Sequence, residues 1–172
     1  MGRIVRASII GIMILAMAPA AVAAPDRSAL MQPGQSYTWN GNPGAGTNLR
    51  YWSLAAPLPG TSACTKDATA YCESILIEFY NPPSSGEFRD CLATVSIAAT
   101  DPVSDYDIQI YQSDNNGTKG APVASSWVAA YESTTEEVEL NVRTTLAKPS
   151  TYFYVEIVYF AALGEYMGTI NF

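Results

Sequence analysis

The chain has 172 residues, with nine Lys and Arg against sixteen Asp and Glu, and no histidine. Its net charge of −7 opposes a polyanionic partner, because holding a phosphate backbone needs clustered cations that this sequence lacks. Without histidine there is no Ser-His-Asp or Cys-His activation of a nucleophile and no histidine-based zinc site.

The chain opens on Arg3 and Arg6, then the apolar run IIGIMILAMAPAAVA, which ends in small residues before Ala24-Pro25. A charged start, a short apolar core and an A-x-A exit predict a secretory signal over residues 1–24, cleaved after Ala23 or Ala24. The run is short and Ala-rich for a permanent span, and no Cys stands at the exit to carry a lipid. The expectation is a secreted, extracellular protein with no membrane association after cleavage and no nucleic-acid partner. Losing Arg3 and Arg6 leaves seven basic residues against sixteen acidic ones, a net charge of −9.

Residues 25–35 read as a loose N-terminal lead, and 36–172 as one domain. From there short alternating runs dominate: SYTW (36–39), LRYWSL (49–54), SILIEFY (74–80), LATVSIAA (92–99) and DYDIQIYQ (105–112). PVASSWV (122–128), EVELNV (137–142), TYFYVEIVYF (151–160) and YMGTINF (166–172) complete the series. Turn chemistry separates them, as in NPPSSGE after Tyr80, the NNG at Asn115 and the KPS at Lys148. No segment beyond the leader has a helical period. About nine such strands predict an all-β chain, an antiparallel two-sheet β-sandwich. In EVELNV, Val138, Leu140 and Val142 share one face, with Glu137, Glu139 and Asn141 on the other. The same period in DYDIQIYQ puts Tyr106, Ile108 and Ile110 in the core and turns Asp105, Asp107, Gln109 and Tyr111 to solvent.

Three cysteines in an exported chain point first to a disulfide. Cys64 and Cys72 bracket the polar loop TKDATAY, whose closure would contribute roughly 2.5 kcal/mol on the chain-entropy model. Cys91 is then a buried thiol; a bridge from Cys91 to either of the others is the competing arrangement.

Chemistry has few remaining routes. A carboxylate pair of the glycosidase kind is one, with Asp105 and Asp107 or Glu136 and Glu137 as candidates. Neighbours at i, i+2 lie side by side, and those at i, i+1 face opposite ways, so a working pair would have to come from two strands. Calcium needs only oxygen ligands, and Asp105, Asp107, Asp114 and Asn116 are its candidate ligands at one end of the sandwich. Trp39, Trp52 and Trp127 are candidates for a platform that stacks on sugar rings; the plainer role of such residues is to fill the core. The NGT at 116–118 fits a glycosylation sequon and also a turn.

SDYDIQIYQSDNNG resembles the core motif of the bacterial pre-peptidase C-terminal domains, which are similar to the collagen-binding domains of collagenases. SYTWNGNPGAG and CTKDATAYCESILIEF resemble the opening strand and the Cys-bracketed loop of that family. APVASSW, EEVEL, STYFYVEIVYF and YMGTINF resemble its later strands, so the likeness runs over residues 34–172. It implies a jelly-roll-like sandwich of the type appended to secreted peptidases, without catalytic residues, serving solubility, secretion or attachment to a substrate surface. Pro149-Ser150 stands where the family has Gly, Cys91 is additional, and no peptidase domain accompanies the module in these 172 residues. The expected function is a secreted, non-catalytic module that binds an extracellular polymer or protein. The alternatives are a carbohydrate-binding module using the tryptophans and a small carboxylate-dependent hydrolase. No cofactor is expected beyond the calcium option.

Overall fold

The computed structural model describes residues 24–41, 72–129 and 132–172. These contain nine strands: β1 (Arg27–Met31), β2 (Ser36–Gly41), β3 (Cys72–Tyr80), β4 (Phe88–Ala99), β5 (Asp105–Ser113), β6 (Lys119–Ser126), β7 (Thr135–Thr145), β8 (Ser150–Ala161) and β9 (Tyr166–Asn171). No helix occurs among the described residues. The strands form a five-stranded sheet, β1-β3-β8-β5-β6, and a four-stranded sheet, β2-β9-β4-β7. Compared position by position, β2-β9-β4-β7 and β3-β8-β5-β6 match each strand with its neighbour in the chain. That is the jelly-roll weave, with β1 added outside it.

Eight of the nine strands expected from alternation are present. The segment 49–54 lies outside the described residues. The ninth strand is β1, which falls within the lead expected to be loose. Residues Arg27–Met31 pair in parallel with Ile75–Phe79 of β3, the one parallel ladder among the described residues. Met31 is buried and Arg27 is ion-paired to Glu73, so side-chain anchoring holds a segment whose own apolar pattern is too short to read as a strand.

Both inner faces are apolar. Ile75, Ile77 and Phe79 of β3, Val155 and Ile157 of β8 and Ile108 and Ile110 of β5 meet Val95 and Ile97 of β4, Val138, Leu140 and Val142 of β7 and Ile170 of β9. Each such aliphatic side chain contributes roughly 1.5–3 kcal/mol on burial. β7 follows the strict alternation expected of it, with Glu137, Glu139 and Asn141 exposed.

β5 departs from its expected pattern. Ile108 and Ile110 are buried, but so are Asp107 (5% exposed), Gln109 and Tyr111, and Asp105 is half-buried. The outward-facing placement of Asp105 and Asp107 is therefore overturned. The reason is that the first sheet is covered on both faces around β5 and β8: Tyr154, Glu156 and Val158, on the outer face of β8, are buried too. Period two sorts residues into two faces and does not say whether the second is wet.

Two glycines mark close approaches in the second sheet. Trp39 lies directly across from Gly168, and Gly41 from Tyr166. A Cβ at Gly168 would overlap the Trp39 indole, and one at Gly41 would overlap the Tyr166 ring. Each large ring occupies the space that its partner's missing side chain leaves.

Candidate functional site

Among the described residues a groove of about 940 Å3 lies where β5 ends, β8 begins and β7 runs along the open side of the sandwich. Local irregularities create it. β6 slips register against β5 twice, between Ile110 and Tyr111 and again between Tyr111 and Ser113, with Gly120 and Pro122 in the slipped stretch. Such bulges bend an edge strand and re-aim its side chains; Val123, exposed, lines the groove as a result. At the other side, Thr145 N–H donates to Lys148 O at 2.9 Å and Lys148 N–H donates to Thr145 Oγ1 at 2.9 Å. This tight turn sets Lys148 and Pro149 at the end of the groove.

The floor is apolar, from Leu140 and Phe153, and the rim is polar and mixed in charge. Arg143 holds Asp90 through both carboxylate oxygens, at 2.7 and 2.8 Å, with its guanidinium 4.7 Å from the centre of the Phe88 ring. The hydrogen bond from Arg143 holds the Asp90 carboxyl below its ordinary pKa. Glu139, Asn141, Lys148 and Tyr152 complete the rim. Such a recess can hold an extended ligand by apolar contact below and polar contact along its sides.

The candidate metal residues do not come together. Asp105 opens β5 and Asp114 follows its last residue. At about 3.3 Å per residue the two stand on the order of 30 Å apart, too far to share a cation. Among the described residues no group of three or more acidic, Cys or His side chains is arranged to hold a metal. Asp114 has a different task. Its Oδ1 accepts from Asn116 N–H at 2.9 Å and Thr118 N–H at 2.8 Å, closing the turn in which Gly117 takes φ +80°. The Thr118 bond is the main cause of a lowered pKa at Asp114. Asp105 is thus a half-buried strand start and Asp114 a turn residue, too far apart to hold one ion together, and the NGT at 116–118 is part of that turn.

A carboxylate pair that the sequence did not suggest does form. Glu136 sits on the inner face of β7, and Asp105 lines the same crevice from the other sheet. Glu136 is 3% exposed; its Oε1 accepts from Val128 N–H at 2.8 Å. Burial raises its pKa, the bonds from Ser126 and Val128 oppose that, and the charge of Asp105 adds to the rise. The crevice has no room for a water molecule, so a glycosidic bond cannot lie between the two. Asp107 faces the opposite side of the sheet from the core, and Glu137 is exposed, so neither pair considered from sequence is assembled.

Trp39 is buried against Gly168, which removes it from any sugar platform. Its Nε1 donates to the Tyr166 hydroxyl at 3.5 Å; that hydroxyl in turn donates to Glu73, which Arg27 also holds. Burial is the main cause of the strongly raised Tyr166 pKa. Trp127 is 39% exposed, and Trp52 lies outside the described residues. Cys91 is a free thiol, 2.9 Å from Asn81 Nδ2, so it forms no bridge to either of the other cysteines. Cys72 opens β3 and is buried; Cys64 lies outside the described residues.

Sequence reasoning missed the groove and an ion pair made to a buried glutamate. Lys119 of β6 meets Glu156 of β8, with its ammonium 5.5 and 5.1 Å from the ring centres of Tyr111 and Tyr154. A Glu in the middle of the apolar run TYFYVEIVYF was the available signal for it. The groove left no such trace, since bulges and strand order make it.

No family model matches the chain, and no curated protein matches it by sequence. Among solved structures, a chain from the structure of infectious bursal disease virus, Gx strain, superposes with a TM-score of 0.24 at 12% identity. The match covers 93% of this chain and 36% of that one, and a likeness so distant carries no argument about fold or function.

Proposed function

We propose that the protein is a secreted, non-catalytic β-sandwich module that binds an extracellular polymer or protein partner through the groove beside β7. The observation that carries this reading is the groove itself: an apolar floor of Leu140 and Phe153 under a rim of Arg143, Lys148, Glu139 and Tyr152. The leader at residues 1–24 supports export, and the resemblance to the pre-peptidase C-terminal domains supports an accessory binding role. A Cys64–Cys72 bridge belongs to the same proposal; the free state of Cys91 removes its competitor. The sugar-platform reading keeps only Trp127 among the described residues, and the hydrolase reading has a carboxylate pair with no space for substrate.

The test is retention of the mature protein on collagen, insoluble polysaccharides and immobilised culture-supernatant proteins. The expected result is retention on one class, lost in a Tyr152→Ala, Lys148→Glu double variant of unchanged melting temperature. Retention that the double variant leaves intact would place binding elsewhere, and catalytic turnover of a retained polymer would contradict the non-catalytic reading.

A further inference from the structure

Among the described residues β7 ends its sheet and is paired only with β4. The antiparallel ladder decides which of its backbone groups point outward. Ala99 N–H donates to Thr134 O at 2.8 Å, which turns the even-numbered residues of β7 toward β4. On the other side, Arg143 O accepts from Thr151 Oγ1 at 2.5 Å, and Thr145 N–H donates to Lys148 O at 2.9 Å. Both observations turn the odd-numbered residues away from β4. The N–H and C=O groups of Glu137, Glu139 and Asn141 therefore point off the sheet edge, and Glu139 to Arg143 run along the groove. Pairing with β4 continues through this stretch without a register shift, and it contains no Pro. From Glu137 to Asn141 this is a straight edge with no partner strand among the described residues, and such an edge is a template for another strand.

We infer that the groove takes an extended peptide segment of a partner protein, added alongside β7 as a fifth strand of the second sheet. This rests on the binding reading above and names its ligand class. A peptide backbone offers donors and acceptors at the repeat of the β7 edge, whereas a polysaccharide has no such ladder. Val123 of β6 bounds the groove on one side and residues 148–151 close one end, so one extended chain fits where the edge of a folded domain does not. The alternation of the sheet sets the segment's chemistry. Its inward side chains lie over Leu140 and Phe153 and are apolar. The outward side chain at the Lys148 end is acidic, matched to that cation; Arg143 beside it is already held by Asp90.

The probe is a fluorescein-labelled peptide in which valines alternate with threonines and a terminal glutamate, followed by fluorescence anisotropy with the mature chain. Saturable binding is expected. Asn141→Pro removes only an outward N–H, since the β4 ladder uses the even-numbered residues, and should weaken binding by about tenfold or more. Asn141→Ala, which keeps that N–H and removes only the side chain, should weaken binding far less than Asn141→Pro. Lys148→Glu should weaken the glutamate peptide more than its glutamine analogue. Should Asn141→Pro not fold, a peptide N-methylated on alternate residues carries the test: methylation on one edge blocks binding, and on the other edge it does not. Absence of saturable binding, equal binding by both methylated peptides, or equal affinity in a folded Asn141→Pro would overturn the inference. So would a dimer of the parent chain abolished by Asn141→Pro, which would name a different occupant. If the retained polymer or protein of the earlier test still binds Asn141→Pro, the strand-addition inference falls while the binding reading stands. If neither peptide nor polymer nor protein is retained, the binding reading falls with it.

Discussion

Glu136 shows how burial at a single carboxyl becomes a property of the whole fold. Its folded pKa is raised above its ordinary value of 4.5, chiefly by burial, with Asp105 across the crevice adding to the rise. The folded chain therefore holds this proton more tightly than the unfolded chain. The resulting stabilisation is fully present below pH 4.5 and is lost as pH rises through the folded value. Glu136→Gln keeps an oxygen for the Val128 N–H and removes the charge. It should raise the melting temperature at pH 7 and change it little near pH 4. Thermal melts at the two pH values check this; an equal shift at both would remove the charge from the explanation. Gly168→Ala should lower stability by roughly 3 kcal/mol or more, because the new Cβ meets the Trp39 ring. A denaturant midpoint unchanged from the parent would contradict that packing. At this scale the sequence is a partial guide. Strand rise alone separates Asp105 from Asp114 once 105–113 is read as one strand, so the failure of the shared calcium site was legible. The meeting of Asp105 with Glu136 was not, because it depends on which strands face each other across the sandwich.

Strands were legible where one face is wet and obscure where both are covered. β7 alternates because its outer face is exposed, and its interior could be named residue by residue. In β5 and β8 polar residues are buried on the outer face, and period two cannot report that. The ion pair of Lys119 with Glu156 follows from this burial. Glu156 is fully buried, so removing Lys119 takes a charged partner away from a carboxyl in a dry setting. Lys119→Ala should cost roughly 3–5 kcal/mol, and Glu156→Gln added to it should recover part of the loss. Urea unfolding of the single and double variants checks this; a double variant no better than Lys119→Ala would deny the coupling. β1 was illegible for a different reason: five residues with only Met31 and Ala29 turned inward give too little pattern to register. Met31→Ala should cost about 2–5 kcal/mol if β1 is part of the core, and much less if the lead is loose.

For the molecule as a whole, the turn-separated runs were enough to imply two packed sheets. The resemblance pointed to a jelly roll, and strand order bears that out. The groove needed more than strands: it needed the β6 bulges, the Thr145–Lys148 turn and the position of β7 at the end of its sheet. None of these is a residue pattern, which is why tryptophans and acids drew attention that Arg143, Lys148 and Tyr152 did not. The central claim is that binding occurs at this edge. Backbone amide hydrogen exchange of the mature chain, with and without its retained ligand, tests it most directly. Exchange at Glu137, Glu139 and Asn141 should be fast in the free protein, since these amides point off the sheet edge, and should slow markedly on binding, while the amides of Val138 and Leu140 stay protected throughout. Protection that appears elsewhere on the sandwich, with the outward β7 amides unchanged, would contradict the account.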